Sequence, residues 1–290
     1  MTVAIVPGIS ALAKVYDGFI LDLWGVVHDG RDPYPGAIEC LGKLRQMRRR
    51  VVLLSNVPRR AATVAEAMVG MGIDRSLYGH VLSSGELAYR ALKFRDDPWY
   101  AALGRKCLHM GPERDKGIFE GLGLEVVQTP QEAGFVLNTG PWRDVDSLED
   151  FEPALRACAK RGLAMVCANP DLEVIRAGKR IICAGTLAAR YEALGGEVRY
   201  HGKPHGPAYE ACLELMGISD RRRIVAIGDS LATDVKGARE AGLDAVLVTS
   251  GIHAEELGLE YAEHPDPGRL RQACERAGHV PIAAVPAFVW

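Results

Sequence analysis

The sequence predicts an α/β protein: a core on a parallel sheet with helices on both faces, and a smaller α/β cap domain inserted into it. Three observations predict it. Short apolar runs bounded by turn residues alternate with stretches of helical spacing. Several helical stretches stop at a glycine, at Gly72, Gly162, Gly217 and Gly242. The most hydrophobic runs, 19–22, 51–54, 80–83, 224–228 and 245–249, end in polar residues, whereas the block from 95 to 183 carries strands and helices of its own.

Taken in order, the run 19–22 ends abruptly in Asp22, as a buried parallel strand does when it delivers a carboxylate to the edge where α/β folds bind ligands. Helical spacing over 37–47 leads into a basic run, Arg45 and Arg48 to Arg50, read as a solvated helix end favoured by the helix dipole. The strand 51–54 is followed by Ser55-Asn56, the helix 61–71 and the strand 80–83. Asp96-Asp97-Pro98 opens the insertion, and Arg176-Ala177-Gly178-Lys179 closes it. Between them lie strands 106–109, 134–138 and 164–168 and a helix over 148–160; a further strand, 180–183, follows the closing turn. This places the core at 1–92 and 184–290 and the cap at 93–183. Helix 187–194 and strand 198–201 precede Gly202-Lys203-Pro204. Helix 207–216, strand 224–228, helix 233–241 and strand 245–249 complete the alternation. The tail 264–290 reads equally as a last strand or as a packed extension.

Composition narrows the function classes. With 290 residues, 48% of them apolar and 25% charged, the chain can bury a sizeable core. A net charge of −2 argues against nucleic acid or an anionic membrane as the main partner, because phosphate-backbone binding needs a basic footprint. The seven cysteines include no Cys-x-x-Cys and read as small core residues in a reducing, cytoplasmic compartment. No stretch approaches the length of a membrane span, and no signal peptide is expected.

Four groups fall at predicted strand ends: Asp22, Ser55-Asn56, Lys203, and Gly228-Asp229-Ser230 with Asp234. Each has a bland reading. Asp22 suits a helix cap or turn, Ser55-Asn56 a turn, Lys203 a solvated loop, and Asp229 a strand-to-helix turn. Together, along one sheet edge, they suit phosphoryl transfer. Asp22 and Asp229 would hold Mg²⁺, which prefers oxygen ligands. Lys203 and the Ser55 hydroxyl would orient the phosphate oxygens. Asp22 would attack phosphorus.

These segments resemble the four motifs of the haloacid dehalogenase superfamily. Gly25-Val26, Pro35-Gly36-Ala37, Leu54-Ser55-Asn56, Ala168-Asn169-Pro170-Asp171, Ala184-Gly185-Thr186-Leu187, Gly202-Lys203-Pro204 and the run from Gly228 to Asp234 are similar to its class IIA branch of phosphatases. The resemblance covers residues 15–255 and implies a Rossmann-like core and a Mg²⁺-dependent phosphohydrolase of small phosphorylated metabolites. It implies a metal bound by Asp22, Asp229 and the backbone carbonyl of Trp24, with Asp234 in support. It places Ser55, Lys203 and Asn56 on phosphate beside Gly25. It turns cap residues around 138–143, Arg143 among them, and 169–171, including Asn169 and Asp171, toward the leaving group. By analogy it also implies a homodimer. One position departs. The family carries a second aspartate two residues after the nucleophile as general acid and base, and this chain has Trp24. Indole is a donor only and exchanges no proton at neutral pH. Three readings stay open. In one, another group such as His28, with Asp29 nearby, moves the proton. In another the enzyme is restricted to good leaving groups. In the third the protein binds a phosphorylated ligand without turnover. Trp24 reads either as packing or as a stacking face. Transfer to another acceptor, or action on carbon–phosphorus or carbon–halogen bonds, is a further alternative; Asp229 and Lys203 count against dehalogenation, which needs no Mg²⁺.

Overall fold

A computed structural model describes residues 3–176 and 179–290, in which 14 strands alternate with helices. In chain order the strands are β1 (Ala4–Ile5), β2 (Gly18–Leu21), β3 (Arg50–Ser55), β4 (His80–Ser83), β5 (Lys106–Met110), β6 (Glu125–Val127) and β7 (Phe135–Asn138). They continue as β8 (Ala164–Cys167), β9 (Glu173–Arg176), β10 (Lys179–Ile182), β11 (Val198–Tyr200), β12 (Ile224–Gly228), β13 (Asp244–Val248) and β14 (Ala283–Val285). The chain forms two compact units. One comprises 1–55, 64–82 and 203–290, the other 56–63 and 83–202.

The first unit is built on a sheet ordered β1-β14-β13-β12-β2-β3-β4. The ladders joining β1 to β14, β14 to β13, β13 to β12, β12 to β2 and β2 to β3 are all parallel. Every residue of β2, β12 and β14 is buried, as expected of strands covered on both faces by crossover helices. Register fixes the site: Leu21 pairs with Ile227 on one side and with Leu53 on the other. The three strands therefore end along one edge of the sheet, with Asp22 just past β2, Ser55 at the end of β3 and Asp229 just past β12. The tail contributes both a helix, Pro267–Ala277, capped by the Asp266 carboxylate accepting from the Arg269 N–H, and the interior strand β14.

The second unit has a five-stranded sheet, β11-β8-β7-β5-β6, parallel throughout, and a separate antiparallel hairpin of β9 and β10. Side chains alternate across β7. Val136 joins Phe151, Leu155, Met165, Leu187 and Tyr191 in one core, while Phe135 and Leu137 join Ala88, Leu92 and Val166 in another. Helices Leu148–Lys160 and Ala184–Ala193 thus cover one face, and helix Ser84–Phe94 the other.

The units divide at positions other than 93 and 183. The helices Ser84–Phe94 and Ala184–Ala193 bury their apolar faces in the second unit's cores, and β11 pairs with β8. Lys203 therefore follows a strand of the five-stranded sheet, where the sequence reading had placed it after a core strand. Among the described residues, the run near 180–183 pairs with β9 and not with the five-stranded sheet. Of the expected turn 176–179, residues 177 and 178 lie outside the described residues.

Candidate active site and metal centre

The first unit gathers its polar residues where β2, β3 and β12 end. Asp22 is 7% exposed, Asp229 7%, Asp234 5% and Lys203 3%. Oxygens of the three carboxylates lie within 4.8 Å of one another. The Asp22 backbone N–H donates to the Ile227 carbonyl at 2.9 Å, continuing the ladder one residue past the strand. Asp22 Oδ1 accepts the Leu23 N–H at 2.8 Å. Lys203 Nζ lies 2.6 Å from Asp22 Oδ1 and 2.7 Å from Asp234 Oδ1, so one ammonium bridges two carboxylates. Asp234 uses its other oxygen on the Ser230 N–H at 3.2 Å, and the Tyr209 hydroxyl donates to its backbone carbonyl at 3.0 Å. It stands on a wide π-type turn, Leu231–Val235, that starts with the Ser230 hydroxyl accepting from the Thr233 N–H. Asp229 Oδ2 accepts the Ile252 N–H at 2.7 Å.

Close backbone approach packs this centre. A Cβ at Gly25, whose φ is +82°, would fall 2.0 Å from Asp229 Oδ2, and one at Gly251 would fall 2.2 Å from the same atom. Only glycine fits at either position. Burial pushes the Asp22 carboxyl well above the usual carboxylate range, and the Asp234 and Asp229 charges add to it, although Lys203 pulls the other way. An ion pair at 2.6 Å and a raised carboxyl point in opposite directions. Burial with two like charges outweighs one shared ammonium. Three buried carboxylates and one ammonium leave a negative excess, and hard oxygen donors at this separation fit a divalent cation such as Mg²⁺.

Ser55, 7% exposed, ends β3 two residues after Leu53, at the same sheet edge. Trp24, Gly25 and His28 lie in the loop that leaves β2. Leu23 accepts N–H bonds from Val27 and His28, and the Gly25 N–H donates to the His28 carbonyl at 3.1 Å. The Trp24 indole lies against Gly30, where an added Cβ would fall 2.2 Å from its Cη2, and meets the His28 ring edge-on with centroids 6.1 Å apart. Burial lowers the His28 pKa to about 4, so it is neutral at pH 7, and its Nδ1 accepts the Gly30 N–H at 3.0 Å. Asp29 Oδ1 accepts the Arg31 and Asp32 N–H groups, which hold it below its ordinary range as a turn former.

In the second unit, Asn56 Nδ2 donates to Asp171 Oδ1 at 2.8 Å, and the Asp171 N–H donates to Asn169 Oδ1 at 3.0 Å. Asn56 and Asn169 are buried. Arg143 is bound instead by Asp146, through Nε at 2.7 Å, while 74% of its side chain stays exposed. Asn138 is fully buried, with its amide engaged by the Ala184 carbonyl and the Gly140 N–H. Trp142 stacks on Phe151 at 4.1 Å. Sequence reasoning missed Tyr209, Gly251 and the Ile252 N–H. The last two follow an apolar strand that ends in Thr249-Ser250-Gly251, the same signature that exposed Asp22 and Asp229.

An α/β fold with an acidic, lysine-bridged centre at its strand ends suits phosphoryl-group chemistry. Residues 19–125 match a family model described as haloacid dehalogenase-like hydrolase, and residues 200–271 match a second, HAD-hydrolase-like model. The crystal structure of a haloacid dehalogenase-like hydrolase from Brucella suis 1330 is 35% identical, with a TM-score of 0.82 over 98% of this chain and 100% of that one. D-glycerol 3-phosphate phosphatase of Mycobacterium tuberculosis is 29% identical over 84% of this chain, which spans 66% of that protein's length. A structure of the glycerol phosphate phosphatase of M. tuberculosis in complex with magnesium shares the fold at 23% identity, with a TM-score of 0.65 over 89% of this chain and 77% of that one. The chain belongs to the haloacid dehalogenase-like hydrolases, in the class IIA branch of phosphatases. Among the described residues no helix is long and apolar enough to cross a membrane.

Proposed function

We propose that the protein is a Mg²⁺-dependent phosphohydrolase of a small phosphorylated metabolite, with Asp22 as nucleophile. The observation that carries this reading is the Lys203 ammonium between Asp22 and Asp234, with Asp229 in the same buried cluster. Asp22 Oδ attacks phosphorus, the ester P–O bond breaks, and its electron pair leaves on the alcohol oxygen. Water then attacks phosphorus of the aspartyl-phosphate, the bond between Asp22 Oδ and phosphorus breaks, and inorganic phosphate leaves carrying the protons of the water while Asp22 recovers its carboxylate. Lys203 offsets charge on the phosphate oxygens, and Ser55 donates a hydrogen bond to them. Mg²⁺ held by Asp22, Asp229 and the Trp24 carbonyl, with Asp234 supporting, would supply further charge neutralisation when bound. Gly25 leaves room for Asp229 to approach. Asn56 is assigned to the phosphate beside Ser55 and Lys203, and Asn169, Asp171 and Arg143 to the leaving group.

Trp24 supplies no proton to the leaving oxygen, and His28, neutral and with Nδ1 occupied, is committed to its loop. The reading therefore favours phosphates with acidic leaving groups, such as aryl and acyl phosphates. The test is Mg²⁺-dependent release of phosphate from p-nitrophenyl phosphate by wild type and Asp22→Asn. Turnover that disappears with EDTA and in the variant supports it. Trp24 also favours a second reading, a phosphate-ligand binding protein without turnover. That reading predicts that a phosphorylated metabolite raises the melting temperature while no phosphate is released.

A further inference from the structure

The arginines read from sequence as a solvated helix end line a cleft of about 500 Å³ in the first unit. Arg45 belongs to the last turn of helix Ala37–Gln46, and Arg48, Arg49 and Arg50 carry the chain into β3. Arg48 is held at φ 56°, a conformation uncommon for a side-chain-bearing residue. Ser76, Tyr78 and His80 line the cleft with them, and no carboxylate does. Contacts hold three of the guanidiniums in place: Arg45 Nη1 donates to Ser76 Oγ at 2.7 Å, Arg50 Nη1 to the Met216 and Gly217 carbonyls at 2.7 and 2.9 Å, and Arg49 Nη1 to Asp17 Oδ1 at 2.5 Å.

The charge is not balanced locally. Among the described residues, Asp17 is the one carboxylate ion-paired with these four arginines, through Arg49 at 2.5 Å, and it is shared with Arg223. Asp74 feels the Arg45 charge from nearby. The carbonyl end of helix Ala37–Gln46 opposes an anion with about half a charge, which four guanidiniums exceed. A second observation points to a missing partner. Among the described residues, the two buried side-chain polar atoms without a hydrogen-bond partner are Arg49 Nε and the Tyr78 hydroxyl, and both residues line this cleft. Buried polar groups are ordinarily satisfied, so these two atoms mark the cleft wall as a place where a bound group or a water would complete the hydrogen bonding.

We propose that this cleft binds a nucleotide-sized phosphate ester at a site separate from the acidic centre. Guanidiniums match phosphate oxygens in bidentate geometry. The volume falls in the range of small-ligand sites, about 300–1,000 Å³, and exceeds what a lone phosphate needs. Tyr78 and Met216 give it aromatic and apolar lining for an organic group. Arg50 starts the strand that Ser55 ends, so the cleft lies about 17 Å of β3 away from the phosphate site proposed above. The inference does not rest on the phosphohydrolase reading.

The experiment is calorimetric titration of ADP into the full-length protein in metal-free, low-salt buffer. One site per chain is expected, displaced by pyrophosphate and weakened on the order of tenfold or more by Arg45→Gln with Arg48→Gln, both exposed positions. A melting curve of the double variant confirms that it folds. Ser55→Ala should bind ADP as wild type does. The proposal is overturned if ADP does not bind, if adenosine binds as well as ADP, or if binding survives the double variant. It is overturned equally if binding disappears in Ser55→Ala, which would place the ligand at the acidic centre.

Discussion

At the scale of single residues, Trp24 and Lys203 decide what the acidic centre can do. In the reading proposed above, Trp24 stands where a carboxylate would exchange a proton with the leaving oxygen, and its indole is packed on Gly30 and His28. Trp24→Asp should raise turnover of alkyl phosphates by about 10²–10⁴-fold, the usual worth of general acid–base help, and should change p-nitrophenyl phosphate turnover far less. Steady-state rates on the two substrates check this; an equal gain on both would mean that proton transfer is not what Trp24 removes. The same substitution should lower the melting temperature, because it empties the contact with Gly30. Lys203 is the buried cation between Asp22 and Asp234. Removing one partner from a buried ion cluster strands the others, at a cost of about 3–5 kcal/mol. Lys203→Met should lose stability of that order in urea unfolding of the metal-free protein. Saturating Mg²⁺ should return part of it, and a variant as stable as wild type would mean the ammonium contributes little.

At the scale of elements, the turn after β2 is as constrained as the catalytic side chains. Gly25 combines φ +82° with an approach that leaves a Cβ 2.0 Å from Asp229 Oδ2. Gly25→Ala should cost about 1–2 kcal/mol in backbone strain alone. It should also weaken Mg²⁺ binding by moving Asp229, which titration calorimetry would detect; unchanged affinity would show that the turn relaxes without disturbing the carboxylate. Much of this architecture was legible in the sequence. All ten expected strands form, because most are short apolar, often β-branched runs closed by turn formers. Strands β1, β6 and β9, which no expected run covers, and β14, in the tail that reads equally as a last strand or a packed extension, have two to four residues each, too few to show a period. β14 reads only Ala-Ala-Val, yet it lies between β13 and β1, a position set by long-range pairing. The flanking helices Ser84–Phe94 and Ala184–Ala193 went to the core in the sequence reading because local pattern reveals that a helix has an apolar face, not which sheet receives it. The site was legible for a related reason. Asp22, Ser55 and Asp229 follow apolar strands and so announce themselves, whereas the Ile252 N–H on Asp229 and the Lys203 bridge to Asp234 join residues 23 and 31 positions apart.

At the scale of the whole molecule, the net charge of −2 hides buried charge that couples stability to metal and to pH. A cation that binds only the folded chain should raise the melting temperature. At about one hundred times its dissociation constant, Mg²⁺ should add about 2.7 kcal/mol, and Asp229→Asn should reduce that gain. Acid should act in the opposite direction through two histidines. Burial lowers the pKa of His109 to about 4, with Lys116 adding to the effect, and burial lowers that of His28 to about 4 as well. The unfolded chain binds these protons near pH 6.5, whereas the folded chain refuses them until about pH 4. Their contribution is therefore complete above about pH 6.5, is lost as the pH falls toward 4, and changes little below that. At pH 5 the loss amounts to about 2 kcal/mol for each imidazole, taken as an upper bound. Asp115, whose carboxyl burial pushes upward, gains stability over the same descent, so the total slope mixes signs. A difference measurement isolates the imidazole. His109 Nε2 lies 2.9 Å from the Thr139 hydroxyl, and glutamine keeps a polar head there. Urea unfolding at about pH 7 and about pH 5 should show wild type losing about 2 kcal/mol more than His109→Gln. Equal losses in the two proteins would mean that His109 takes up its proton in the folded chain as readily as in the unfolded one, and the burial argument for it would fail.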